Sequence, residues 1–154
     1  FCVSNVVNRL EYYHNSSFLE YGGSPDNAVK LAFVYALDKY LKAQGKYKKN
    51  EKKIAFTDVA DCLLLVSNSF STMTSYENQT KKSITNTFIY EAMAAFLKEN
   101  LEIYFAENPT AAELFANQVL INKRSRETAE RTRINQKKKL TTLVHHFQKV
   151  QEQK

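Results

Sequence analysis

Two groups of residues in this chain have types and spacing suited to chemistry. The first is Asn78-Gln79-Thr80-Lys81-Lys82, inside a polar, irregular stretch over 73–86. A lysine at the tip of a loop between a buried strand and a helix is a reaching cation. Its compact ammonium suits a terminal phosphate. Gln79 adds two amide donors beside it and Thr80 a hydroxyl. Solvated loop lysines are common, so residue type alone does not separate a phosphate sensor from an ordinary surface loop. The second group is the basic run Lys123, Arg124, Arg126, Arg131, Arg133, Lys137, Lys138 and Lys139, opposed only by Glu127 and Glu130. The chain carries a net charge of +6, and this run accounts for all of it, because the remaining residues hold 14 basic and 14 acidic side chains. Charge so concentrated points to a polyanion. It would neutralise phosphates without reading sequence, and no aromatic residue interrupts the run to stack on bases.

Other chemistries are absent from the sequence. It holds no Gly-x-x-x-x-Gly-Lys phosphate loop, no Cys-x-x-Cys, no His-Glu-x-x-His and no serine in a nucleophile elbow. The carboxylates are scattered, with no acid/base pair among them. Neighbouring residues of a helix diverge by about 100°, so His145 and His146 make a poor metal pair. Cys2 and Cys62 each sit in an apolar, strand-like run and read as two reduced cysteines rather than a disulfide. The loop 46–53, with Lys46, Lys48, Lys49, Lys52 and Lys53 around Glu51, reads as a solvated loop.

The elements that must position these groups follow from pattern and punctuation. Phe1–Val7 and Leu10–Leu19 read as two strands, with Asn8-Arg9 as their turn. Gly22-Gly23 breaks the chain, and Ser24-Pro25-Asp26 is a helix start. That helix runs to about Gln44, ends at Gly45, and buries Val29, Phe33, Ala36, Leu37, Tyr40 and Leu41. Within 54–72, Cys62-Leu63-Leu64-Leu65-Val66 is a fully apolar run and reads as a central strand. From Thr87 a second helix presents Phe88, Ile89, Ala92, Met93, Phe96, Leu97, Leu101, Tyr104 and Phe105. Asn108-Pro109 then resets the chain for a last helix with Ala112, Phe115, Ala116, Val119 and Leu120 facing the core. Its apolar stripe stops after Ile121, yet strong helix formers continue without Gly or Pro. This element is expected to leave the core as a helix that is polar all round, thirty residues of which would reach on the order of 45 Å. Apolar residues return at Leu140, Leu143, Val144, Phe147 and Val150, as for a second docking.

A length of 154 residues suits one domain, and no stretch has the roughly 20 apolar residues of a membrane span. Phe1-Cys2-Val3 reads as the interior of a strand, so the chain is expected to be a piece of a longer one.

Taken in order, these features resemble the B subunit of the bacterial type IIA DNA topoisomerases, gyrase B and its topoisomerase IV counterpart. The residues that carry the resemblance are Gln79-Thr80-Lys81 behind Tyr76, the Gly22-Gly23 helix start, Asn15, the Glu107-Asn108-Pro109 turn, and the basic helix from Gln118 to Leu140. Ser24-Pro25 stands where the family has Thr-His, Thr74 where it has proline, and Cys62 where it often has glycine, which marks a divergent branch. The resemblance implies an α+β transducer like domain 2 of ribosomal protein S-five. That is a small sheet with a left-handed β-α-β crossover, plus a long basic C-terminal helix. It implies a single transducer fragment over 1–154, with its core at about 1–121 and the protruding helix at about 110–154. Gln79 and Lys81 would reach the γ-phosphate of ATP held by an upstream GHKL-type domain. The eight basic residues would face double-stranded DNA. Mg2+ would be bound in parts of the parent outside this chain. The partners implied are DNA, the topoisomerase A subunit and a second copy of the parent on ATP binding, in the cytoplasm, with no membrane. The fragment alone would be inactive. The residues by themselves also fit a stand-alone α+β nucleic-acid-binding domain, or an interaction module whose long helix docks a protein.

Overall fold

The computed structural model describes residues 1–73, 75 and 82–152, with side chains as far as Thr141. The chain forms six short strands and four helices among these residues: β1 (Cys2–Val3), β2 (Arg9–His14), β3 (Ser17–Phe18), β4 (Gly22–Gly23), α1 (Ser24–Ala43), α2 (Phe56–Ala60), β5 (Leu63–Ser69), β6 (Ser83–Ile84), α3 (Thr87–Glu107) and α4 (Pro109–Glu152). It is a mixed α+β fold. The main sheet has the order β1-β5-β2-β3, and β4 pairs with β6 in a separate two-stranded ribbon.

The apolar run is central as expected, with β5 antiparallel to β1 on one side and parallel to β2 on the other. It begins at Leu63 rather than at Cys62, because 56–60 forms the short helix α2, an element too brief to leave a helical period in the sequence. Cys62 closes that helix, its N–H donating to the carbonyl of Val59 (3.1 Å). Cys2 is exposed and Cys62 buried, both as free thiols.

The N-terminal hairpin differs from the expected one. β1 and β2 do not pair with each other; both pair with β5. The first strand stops early because the Ser4 hydroxyl accepts the N–H groups of Val6 (3.2 Å) and Val7 (3.1 Å) and curls the chain away. The true hairpin lies within the segment read as one strand. Asn15 (φ 48°) and Ser16 (φ 64°) turn β2 into β3. Two successive left-handed residues match the twist of the flanking strands.

α1 and α3 pack along each other, and their buried residues share one core with Tyr12 of β2 and with Leu63 and Leu65 of β5. α1 buries Val29, Phe33, Ala36, Leu37 and Leu41, while Tyr40 is half-buried. α3 uses a narrower stripe than expected: Ile89, Leu101 and Phe105 are buried, and Met93 and Leu97 pack against them. Phe88 and Phe96 are exposed. Each is one residue, hence about 100°, from that stripe, and α1 covers only one face. The first turns of α4 close the core with Ala112, Phe115, Ala116, Val119 and Leu120. Phe115 meets Phe33 (ring centroids 6.3 Å) and Phe105 (6.4 Å) edge-on. Burying side chains of this size contributes about 1.5–3 kcal/mol each.

Candidate nucleic-acid interface

The basic helix is one continuous element, and its residues divide into a root and a limb. At the root, Lys123 is fully buried, its Nζ 3.0 Å from Glu51 Oε1 and 3.3 Å from Glu127 Oε1. Arg124 forks onto the same Glu51, from Nε to Oε1 and from Nη2 to Oε2, each at 3.0 Å, and Nη2 also donates to the carbonyl of Lys46 (3.2 Å). Lys46 in turn reaches α4 at Glu113 (2.7 Å) and Asn117 (3.1 Å). Bonds from Arg124 first, then from the Lys48 N–H and Lys123, hold the Glu51 carboxyl well below the usual carboxylate range.

Arg126 makes a second clamp. Its Nε and Nη2 donate to the two oxygens of Asp58 at 2.6 and 3.0 Å. Asp58 is fully buried at the start of α2, where Oδ2 also accepts the N–H of Ala55 (2.8 Å). Asn122 Nδ2 donates to the Asp58 carbonyl at 3.0 Å. The three most N-terminal cations of the run are therefore bound to this fold's own carboxylates. A fully buried Lys123 faces Glu51, not solvent. Neither acid stood out in the sequence. The signal available was that Glu51 is the only acid within a lysine-rich loop.

From Thr128 onward the helix is exposed through Thr141. Arg131, Arg133, Lys137, Lys138 and Lys139 all lie on this limb, and Arg133 contacts Glu130 at 3.1 Å in solvent, where such a pair contributes little. Leu140 is exposed, and the side chains of Leu143, Val144, His145, His146, Phe147 and Val150 lie outside the described residues.

Gln79, Thr80 and Lys81 also lie outside the described residues, as do Tyr76 and Thr74, but the stem on either side of them is defined. Thr85 N–H donates to the Ser75 carbonyl (3.1 Å), and Ser75 N–H donates to Asn86 Oδ1 (2.7 Å). Ser83-Ile84 pairs with Gly22-Gly23. A Cβ on Gly23 (φ +85°) would stand 2.1 Å from the Ile84 carbonyl oxygen, so this close approach requires glycine. Lys82 pairs with Glu20 and lies over the Tyr21 ring (5.8 Å). The start of α1 and residues 82–84 are thus one joined unit. Among the described residues no three His, Cys, Asp or Glu side chains gather as metal ligands, and no helix is long and apolar enough to cross a membrane.

A family model of DNA gyrase B matches residues 1–135. The chain belongs to the DNA gyrase B family. The DNA gyrase B protein of Metamycoplasma arthritidis is 30% identical over 136 residues, 88% of this chain and 21% of that protein. Its counterpart in Clostridium acetobutylicum is 28% identical over 126 residues, 82% of this chain and 20% of that one. The chain spans about a fifth of the length of the curated relatives it matches. Two solved structures share the fold of this gyrase B family member. The 43K ATPase domain of Thermus thermophilus gyrase B, in complex with an aminocoumarin, superposes with a TM-score of 0.73 at 24% identity, over 82% of this chain and 34% of that one. The topoisomerase IV ATP-binding domain of Francisella tularensis superposes with a TM-score of 0.69 at 22% identity, over 75% and 32%. Both the gyrase and the topoisomerase IV branches of the type IIA enzymes are thus similar to this chain in fold.

Proposed function

We propose that this chain is the transducer of an ATP-dependent type IIA DNA topoisomerase, a single unit over 1–154 that relays nucleotide state to DNA strand passage. The observation that carries the reading is α4. Its root is clamped to the core by Asp58 and Glu51, and its limb runs on as one basic, solvent-exposed helix. A rigid element fixed at one end and charged at the other transmits displacement from a nucleotide pocket to DNA.

In this reading Gln79 and Lys81 contact the γ-phosphate of ATP held by an upstream GHKL-type domain. The described flanks support this, because Ser83-Ile84 pairs with Gly22-Gly23 at the start of α1 and the Ser75 N–H donates to Asn86 at the start of α3. ATP supplies the phosphate whose presence or loss changes that contact, and a switch needs such a difference in affinity between its two states. Lys81 contributes a point charge and Gln79 an amide donor. Mg2+ belongs to parts of the parent outside this chain. The DNA contact falls to Arg131, Arg133, Lys137, Lys138 and Lys139, with Lys123, Arg124 and Arg126 holding the helix that presents them. A left-handed β2-α1-β5 crossover, a topoisomerase A subunit as partner, dimerisation of the parent on ATP binding and a cytoplasmic location complete the reading.

The test is DNA-dependent ATP turnover and strand passage by the full-length parent with its partner subunit, wild type against Lys81→Ala. Turnover and strand passage are expected to fall together while nucleotide still binds. Unchanged rates in both assays would overturn the γ-phosphate role.

A further inference from the structure

α1 begins directly after Gly23, and α3 begins three residues after Ile84. These two leading segments pair in parallel, Gly22 with Ser83 and Gly23 with Ile84. A parallel ribbon carries both chains the same way, so the two helices start side by side and run along each other. Their positive dipole ends therefore meet at one place. No side chain caps either helix start. Gly23 has none to offer, and the Asn86 side-chain oxygen accepts the Ser75 N–H instead (2.7 Å). The first-turn acid of α1, Asp26, lies over Gly22 and is bound by Lys30 (2.5 Å), while α3 has no acid in its first turn. Between the two starts is an open recess of about 480 Å³, lined among the described residues by Ser24, Asn27, Thr85, Thr87 and Tyr90. Each of the five carries a hydroxyl or an amide and none a charge. Ser24 is only 7% exposed, yet its hydroxyl has no hydrogen-bond partner among the described residues. Polar groups so buried are ordinarily satisfied. The Ser24 oxygen is not sealed from solvent, and the recess is where it opens.

We infer that this recess binds free inorganic phosphate, the tetrahedral oxyanion released when ATP is hydrolysed in the upstream domain. Its source rests on the transducer reading, whereas the site itself rests on the two helix starts and Ser24. Helix N-termini direct unsatisfied N–H groups and a partial positive charge at an anion. Phosphate has enough acceptor oxygens to take donors from both helices at once, together with the hydroxyls of Ser24, Thr85 and Thr87. Lys82, just before β6, is bound to Glu20, so no lysine of the ribbon supplies a full opposing charge. Neutral donors and partial charges hold an anion loosely enough for it to leave, as a product site requires.

The experiment follows the amide resonances of the isotope-labelled 154-residue chain as potassium phosphate is added, against potassium chloride at equal ionic strength. Saturable shifts at 24, 26, 27 and 86–90 are expected with phosphate and not with chloride. Ser24→Ala is expected to weaken phosphate binding about fivefold, the loss of one neutral hydrogen bond. Thr87→Asp places a carboxylate at the start of α3 and is expected to abolish the shifts. Its thermal midpoint should be no lower than wild type, because an acid favours a helix N-terminus. Equal shifts with chloride, shifts confined to the basic residues of α4, unchanged affinity in Ser24→Ala, or binding that survives Thr87→Asp would each overturn the site. AMP at matched ionic strength separates the sources. Weaker shifts than with phosphate support the free anion, and equal or stronger shifts give the recess to a nucleotide and overturn the product role. The site and the transducer reading fail separately. Loss of the phosphate shifts leaves the Lys81→Ala test of the parent untouched, whereas unchanged rates in Lys81→Ala, with phosphate still bound here, overturn only the source assigned to it.

Discussion

At the scale of single residues, Glu51 has the widest reach. It is a nearly buried carboxylate that accepts from Lys123, from both arms of Arg124 and from the Lys48 N–H. These bonds depress its pKa in the folded chain, so folding favours the charged form. Above the unfolded value of about 4.3 the associated stability is fully present; as pH falls below it, the unfolded chain takes up a proton that the folded chain resists, and stability drains away. Urea titrations at stepped pH are expected to show this acid-side decline in wild type. Glu51→Gln is expected to be less stable at neutral pH and to decline less steeply below the carboxylate range. Parallel curves would mean that Glu51 does not anchor α4. Cys62 shows the opposite influence, since burial pushes its thiol up to about 11 and leaves it a packing group.

The elements divide by what holds them. α1, α3 and the first turns of α4 are held by apolar packing, whereas the β4-β6 ribbon consists of two residues per strand and depends on backbone contact. Gly23→Ala would place a methyl group against the Ile84 carbonyl in a left-handed conformation, a strain of about 2 kcal/mol. The urea midpoint of the chain is expected to fall accordingly, and, on the proposed role of Lys81, strand passage by the parent with it, because β6 begins two residues after Lys81. A wild-type midpoint would show that the ribbon yields without cost.

The whole molecule couples a compact α+β body to a helix of 44 residues, roughly 66 Å if straight. A helix exposed all round has little to hold it beyond propensity and short-range charge pairs, so its root must be fixed by tertiary contacts. Two acids on the 46–60 segment do this. On the proposed division of labour the nucleotide pocket lies in an upstream domain, and the 154-residue chain purified alone is expected to turn over no ATP with or without DNA. Measurable turnover would overturn that division.

The sequence by itself determined the elements whose signals are local. The α1 and α3 boundaries, the Asn108-Pro109 reset and, to within one residue, the end of the apolar stripe, read after Ile121 and found after Leu120, follow from breakers and helical period, and the charge of the basic run is a matter of composition. The family was legible too, in the order of Gln79-Thr80-Lys81, Gly22-Gly23 and the basic helix. What needed the tertiary structure was every pairing across the chain. β1 and β2 both read as strands, yet only the fold puts β5 between them. The turn at Asn15-Ser16 carries no glycine to announce it. Above all, the basic run looks uniform as a string, because a lysine is the same residue whether it meets a phosphate or a carboxylate. Glu51 and Asp58, some 70 positions away, bind Lys123, Arg124 and Arg126 inward. The same fold fastens a loop that reads as mere solvated lysines to the root of α4 through Glu51. Partners so distant in sequence leave no periodicity to read, and only packing brings their charges within reach of one another.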